Sequence, residues 1–276
     1  MRSGFFVSAL VISAAVSLPC PAQGAGVAMV ADLEGGIALP GGPMLRLLDE
    51  LAPGQVVVMA KDARMVLVDL ASGDEQVFKG PGRFRFDASG HLQGLRPVEV
   101  RKHPALGPMK LRLGGMAQVA LVMRSGLPAP SLEVLPKGPL VLETAPEFRW
   151  QPQGVQATYQ FKLFNSKGGT LLDRTLSETR LQAPALKPGE DFTWVLEARL
   201  PERPPRIASG RIQVADTATR EALLLSRPAL GAPFSERLVY AALLEDAQIG
   251  DDARAAWQLL AEERPGDSRL KVLAQR

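Results

Sequence analysis

The sequence predicts a mainly β protein that ends in α-helices. Short apolar segments separated by glycine and proline turns run from Val27 to about Asp216, and many alternate apolar and polar residues with period two. From Thr217 onward, proline becomes rarer and apolar residues recur at helical spacing. The predicted divisions are a signal peptide (1–24), a small β domain (26–125), a linker (126–131), a β-sandwich (132–215) and an α-helical hairpin (217–276).

The N-terminal segment has the pattern of an export signal. Residues Phe5 to Leu18 form an uncharged stretch of 14 apolar or small residues, shorter than the ~20 that a membrane-spanning helix needs. Pro19 ends the apolar stretch, and small residues before Gly24 predict cleavage near that position. We therefore expect a periplasmic or secreted protein that does not span the membrane after cleavage. An uncleaved anchor is the alternative.

Cysteine chemistry is restricted by the position of the single cysteine, Cys20, within this predicted signal peptide. Cleavage after Cys20 would leave a mature chain without any thiol. Such a chain has no disulfide, no cysteine nucleophile and no cysteine ligand for a metal. Lipidation of Cys20 is disfavoured, because a lipoprotein signal has a small residue directly before the cysteine and Pro19 stands there.

The first β domain contains a turn that could be misread as a phosphate site. GQVVVMA (54–60) and ARMVLVDL (63–70) predict buried strands, and FKGPGRFRFDASG (78–90) follows. A phosphate cradle needs a helix N-terminus after its glycines. Here a period-two segment follows, in which Arg83 and Arg85 alternate with phenylalanines. The pattern predicts a turn and then a strand whose arginines face away from its phenylalanines.

The stretch PMLRLLDELAPGQVVVMAKDARMVLVDLASGDEQVFKGPGRFRF (43–86) resembles a FecR-like domain, with a first hairpin at 51–55 and a Gly-Pro-Gly-x-Phe element at 80–84. The resemblance implies a sensory or scaffolding role in the bacterial envelope. The iron-transport regulator that names the family has a cytoplasmic segment and a membrane span before this domain. Because this chain has only a predicted signal peptide there, sigma-factor control and ferric-citrate sensing do not carry over.

The second β unit contains regularly spaced strands with one apolar face. Tyr159, Phe161 and Leu163 share one side of the strand ATYQFKLF, and DFTWVLEA repeats the pattern around Trp194. The segment FRWQPQGVQATYQFKLFNSKGG with LQAPALKPGEDFTWVLEA resembles a fibronectin type III-like or Ig-like sandwich. We expect Trp150 and Trp194 to anchor its core, and stacking on sugars is the alternative.

The C-terminal segment resembles a tetratricopeptide-like hairpin in the spacing of Ala253, Trp257 and Pro265. One hairpin cannot bury a continuous core by itself, since a solenoid needs about three repeats. The hairpin must therefore pack on the sandwich or on a partner, and the sequence leaves these two open.

Basic side chains are concentrated in one block. Residues 79–125 carry nine basic and two acidic side chains, a local net charge of +7 within a chain of net charge +3. An exported protein meets no nucleic acid, so the possible partners of this block are anionic lipid head groups or acidic envelope polymers such as peptidoglycan. The alternative is that the basic side chains form a solvated strand face and bind no partner. The candidate binding residues are Arg83, Arg85, Arg101, Lys102, Lys110 and Arg112.

The sequence offers no convincing active site. Its two histidines, His91 and His103, lie in predicted turns without His-x-His or His-x-Glu spacing. No Gly-x-Ser-x-Gly segment surrounds a serine, and no Gly-x-Gly-x-x-Gly segment opens a helix. We predict no catalytic residue, metal or cofactor. The expected function is a non-catalytic binding, scaffolding or periplasmic signalling module, with an envelope or inner-membrane protein as its partner.

Overall fold

The computed structural model describes residues 26–42, 44–87, 89–102, 132–154, 156–201 and 203–275. The predicted signal peptide and linker, and the candidates His103, Lys110 and Arg112, lie outside these residues. Within the described ranges the chain forms 17 strands and four helices, and the helices follow the last strand. The predicted mainly β class with C-terminal helices is confirmed.

The first β unit consists of two packed antiparallel sheets. One sheet has the strand order β3-β1-β5-β6-β9 and the other the order β2-β4-β7-β8. The strands are β1 (Ala28–Glu34), β2 (Ile37–Ala38), β3 (Glu50–Leu51), β4 (Val56–Met59), β5 (Arg64–Asp69), β6 (Glu75–Lys79), β7 (Gly82–Phe86), β8 (Leu92–Gly94) and β9 (Glu99–Arg101).

The Gly-Pro-Gly segment at 80–82 carries the chain from one sheet to the other. It joins β6 of the first sheet to β7 of the second, so the predicted turn followed by a strand is confirmed. A Cβ atom on Gly80 would lie 2.0 Å from the carbonyl oxygen of Ala60, so only glycine fits this position. Across the turn, Phe78 stacks on Phe84 with ring centroids 4.4 Å apart, which fastens the two sheets together.

The second β unit is a sandwich of a three-stranded sheet, β10-β12-β15, and a five-stranded sheet, β11-β17-β16-β13-β14. Trp150 and Trp194 are each 6% exposed and lie in its core beside Phe148 and Phe161, which confirms their predicted core role. Its strands are β10 (Val134–Leu135), β11 (Leu140–Val141), β12 (Glu147–Trp150), β13 (Thr158–Asn165), β14 (Thr170–Leu176), β15 (Arg180–Gln182), β16 (Asp191–Leu200) and β17 (Arg203–Val214).

Four helices follow the second unit: α1 (Thr217–Leu225), α2 (Phe234–Asp246), α3 (Gly250–Glu263) and α4 (Ser268–Ala274). Asp216 caps α1, because its carboxylate accepts the Thr219 N–H at 3.0 Å and the Thr219 hydroxyl at 2.7 Å. The indole N–H of Trp257, on α3, donates to Glu245 at 2.8 Å and fixes α3 against the end of α2. We call these four helices the helical layer.

The helical layer packs mainly on the first β unit, a position that neither alternative from the sequence included. Alternate side chains of β1, β5 and β6 enter one core with the helices, and the intervening side chains enter the core between the two sheets. Residues 28–31 and 65–68 are therefore buried on both faces of the sheet. The residues on the helix-facing side are Met29, Ala31, Val66, Val68 and Val77.

Ionic contacts support this packing. Asp32, with a side chain only 7% exposed, accepts from Arg64 at 2.7 Å and from Arg264 at 2.6 Å. Arg269 donates to Asp49 at 2.6 Å from the start of α4. These contacts join the C-terminal helices to the first strands of the chain.

The helical layer also contacts the second β unit, mainly through polar groups. Arg220 donates to the carbonyl oxygen of Leu142 at 2.8 Å, and the N–H of Gly138 donates to Asp251 at 2.8 Å. Leu142 and Ala215 extend the apolar core of the helices toward this unit. Among the described residues, no helix is both long and apolar enough to cross a membrane.

Candidate binding surface on the first β unit

The outer side of the four-stranded sheet holds two rows of side chains that do not enter the core. Directly opposed residues of an antiparallel pair lie on the same face of a sheet. Met44 pairs with Ala38, Ala38 with Val58, and Val58 with Arg83. The first row therefore runs across the sheet from a methionine to an arginine.

The second row is shorter and more polar. Val56 pairs with Arg85, and Arg85 with Gln93. The Arg85 guanidinium donates from Nε and Nη2 to Gln93 Oε1, at 3.0 and 2.9 Å, so Gln93 holds it in place. We call the seven residues of the two rows the open face: Ala38, Met44, Val56, Val58, Arg83, Arg85 and Gln93.

The open face exposes apolar area beside positive charge. Met44 is 60% and Val58 41% exposed, and Arg83 and Arg85 are exposed between buried phenylalanines of β7. Within the described part of the chain, the side chain of Arg83 has no hydrogen bond or ion pair. Its guanidinium is available to a ligand.

One carboxylate, Asp87, lies at the end of β7, but the following turn occupies it. It accepts the backbone N–H groups of Ser89 and His91 at 2.9 and 3.0 Å. The His91 N–H is the largest cause that lowers the pKa of Asp87, opposed by a smaller effect of burial. The Gln93 side chain also donates to it at 3.3 Å, so Asp87 orients Gln93 and does not pair with an arginine.

Arg101 lies elsewhere, on β9 of the five-stranded sheet. It is directly opposite Glu75, whose carboxylate accepts from Ser235 of α2 at 3.2 Å, so Arg101 belongs to the side of the unit that faces the helical layer. Its guanidinium bonds Glu99 at 2.7 Å, and this hydrogen bond is the main cause that raises the pKa of Arg101. Lys102 follows it and is exposed.

The structure thus brings Arg83 and Arg85 together and places Arg101 on the opposite side of the unit. The sequence block spans strands of both sheets, so closeness in sequence does not make one surface. Val58 and Met44 were not predicted as surface residues: GQVVVMA was interpreted as a buried strand, and Met44 lies outside that segment. The period-two alternation of a strand would have indicated the exposure of Val58, because Val57 and Met59 fill the core and Val58 must then face outward.

The described residues hold no group of three or more His, Cys, Asp or Glu side chains that could bind a metal ion. The side chain of His91 is 81% exposed, and its Nδ1 lies 3.7 Å from Asp87. The imidazole of His91 therefore lies on the surface and not in a cleft.

No protein-family model matches the chain, and no curated protein matches it either. Among solved structures, the chain is similar to CopC from Methylosinus trichosporium OB3b at 12% sequence identity. The match covers 31% of this chain and 92% of that one with a TM-score of 0.24, a value too low to carry an argument about this protein.

Proposed function

We propose that the protein is a non-catalytic binding and scaffolding module of the bacterial envelope, exported to the periplasm or secreted. The resemblances to FecR-like, fibronectin type III-like and tetratricopeptide-like units support this role, as does the export pattern at the N-terminus. An envelope or inner-membrane protein is its proposed partner. Periplasmic signalling through that partner would be one use of such a module.

The observation that carries the proposal is that only one of the two sheets of the first β unit is covered by helices. The helical layer buries one of its sheets, whereas the other sheet presents Met44, Val58 and Arg83 to solvent. A sheet face that serves only for solubility would carry polar side chains at positions 44 and 58 as well. An exposed, partly apolar face is suited to binding another macromolecule, and here the opposite side of the unit is covered by the helical layer.

Cross-linking mass spectrometry in intact native cells tests the role. We expect recurrent cross-links from this protein to one or a few envelope proteins. Fractionation should place the mature chain, without residues 1–24, in the periplasm or the medium. Recovery in the cytoplasm with the N-terminus intact would contradict the proposal, as would cross-links no more frequent than those of an unrelated exported protein.

A second candidate is the binding of an anionic envelope polymer or lipid head group through the basic block. The exposed Arg83, without an ionic partner among the described residues, favours it. Co-sedimentation with peptidoglycan or with anionic liposomes at rising salt separates the two functions. Polymer binding through this block should weaken steeply as salt screens the charges, and binding unchanged by salt would count against it.

A further inference from the structure

We propose that the open face docks a protein partner whose surface presents carboxylates beside apolar side chains. This inference rests on the proposed binding function and names the surface and the chemistry of the partner. In the first row the exposed Met44 and Arg83 lie at opposite ends, and in the second row Arg85 lies between Val56 and Gln93.

The composition of the open face is that of the centre of a protein interface. Such centres are enriched in aromatic residues, methionine and arginine, and depleted in lysine, aspartate, glutamate, serine and alanine. The open face has one methionine, two arginines, two valines, one alanine and one glutamine, so alanine is its one residue of a depleted type and it carries no lysine, aspartate or glutamate. The face therefore differs from an ordinary solvated sheet surface.

The comparison surface within the same molecule is the outer face of the five-stranded sheet in the second unit. There, Lys162 lies 3.5 Å from Asp173, and Arg199 bonds Glu197 at 2.7 Å. These four charges are paired within the chain, whereas Arg211 of the same face has no ionic partner within the described ranges. Those of the open face have no acidic partner among the described residues.

The two arginines have a spacing that a protein partner can match. Arg83 and Arg85 are two residues apart on β7, so their attachment points are separated by about 6.6 Å along the strand. A guanidinium binds a carboxylate through two parallel hydrogen bonds. Gln93 already holds Arg85 in place, so less side-chain entropy is lost when a carboxylate binds there.

Lipid and polymer ligands fit this face less well. Recognition of anionic lipid head groups typically uses clusters of four to eight basic residues, and the open face has two arginines. An extended anionic polymer would engage the arginines and leave Met44 and Val58 in water. A protein surface can cover both ends of the rows at once.

The test places a photo-crosslinking benzoylphenylalanine at position 58 of the full chain in native cells. Two comparison chains carry it at position 193, on the outer face of the second unit, or at position 225, where Leu225 is 73% exposed on α1. We expect a discrete, protease-sensitive adduct from position 58. Arg83→Glu in that chain should lower its yield about tenfold or more, since a like charge then faces the partner's carboxylates.

Arg211→Glu is the matched control, because Arg211 is also an exposed strand arginine without an ionic partner among the described residues. It should leave the yield unchanged. An adduct that is insensitive to Arg83→Glu, or that contains lipid or cell-wall material, overturns the inference.

Vesicles of phosphatidylglycerol and phosphatidylethanolamine supply a second arm. Binding of the purified protein to them that Arg83→Glu abolishes would overturn the protein-partner assignment. Protein adducts at position 193 or 225 but not at position 58 would refute the open face as the docking surface and leave the proposed binding function intact. Absence of adducts at all three positions would count against both.

Discussion

Replacing Arg264 with alanine is expected to lower the free energy of unfolding by about 2–3 kcal/mol. The Arg264 guanidinium lies 2.6 Å from the carboxylate of Asp32, and its central carbon lies 3.8 Å from the ring centroid of Phe234. A charge-assisted hydrogen bond contributes about 1.5–3 kcal/mol, and a cation–π contact about 0.5–1 kcal/mol. Arg64 still pairs with Asp32 in the variant, and the Arg264 side chain is 27% exposed, so the lower part of the summed range applies.

Urea unfolding followed by circular dichroism measures the effect. Arg199→Ala is the control, because its partner is Glu197 and its side chain is 61% exposed, where an ion pair contributes only about 0–1 kcal/mol. Arg264→Ala together with Asp32→Asn should cost less than the sum of the two single changes, because the pair shares one interaction. A free energy of unfolding for Arg264→Ala within about 0.5 kcal/mol of the unaltered protein, or no lower than that of Arg199→Ala, would contradict this role of Arg264.

Three further predictions concern single positions. Trp257→Ala should cost about 3–5 kcal/mol in urea unfolding, because this buried indole fills the core beneath α3, and a loss below about 1 kcal/mol would contradict that role. Gly80→Ala should lower the free energy of unfolding by at least about 2 kcal/mol, because the new Cβ atom would overlap a backbone carbonyl oxygen. Gly266→Ala should be nearly neutral, because a Cβ atom there would have no neighbour within 4 Å. Equal unfolding midpoints of the two variants would refute the steric explanation. Asp216→Ala should cost about 1 kcal/mol by removing the α1 cap. The hydrogen bond from the Thr219 N–H lowers the pKa of Asp216 in the folded protein. The cap therefore stabilises fully at pH values above the usual pKa of an aspartate, and its contribution is lost as the pH falls through the lowered pKa. A difference in unfolding free energy between the variant and the unaltered protein that stays constant down to pH ~2 would contradict this prediction.

Local patterns of the sequence were sufficient for the β class, the turn at 80–82 and the core tryptophans. Each depends on neighbours within a few residues: period two fixes which side chains share a face, and glycine and proline fix the turn. The same rule places Arg83 and Arg85 on the outside of β7. Applied strictly to GQVVVMA, it would also have placed Val58 there.

The position of the helical layer could not be predicted in this way. The continuous apolar runs at 28–31 and 65–68 indicate burial on both faces, but they do not say which element covers the second face. That information lies in contacts such as the one between Asp32 and Arg264, which are 232 positions apart in the chain. The converse applies to Arg83 and Arg101. They were grouped because they are close in sequence, but the fold places them in different sheets.

The covering of β1 and β5 by the helical layer has a consequence for the order of events during biosynthesis. Because β1 and β5 precede the helices in the chain, they leave the ribosome first and acquire their second apolar partner only after the helical layer has been made. Until then Met29, Val66 and Val68 face water, and such transiently exposed strand surface promotes aggregation. A nascent chain of this protein should therefore depend on a holding chaperone for most of its synthesis, and premature termination after the second β unit should yield insoluble material.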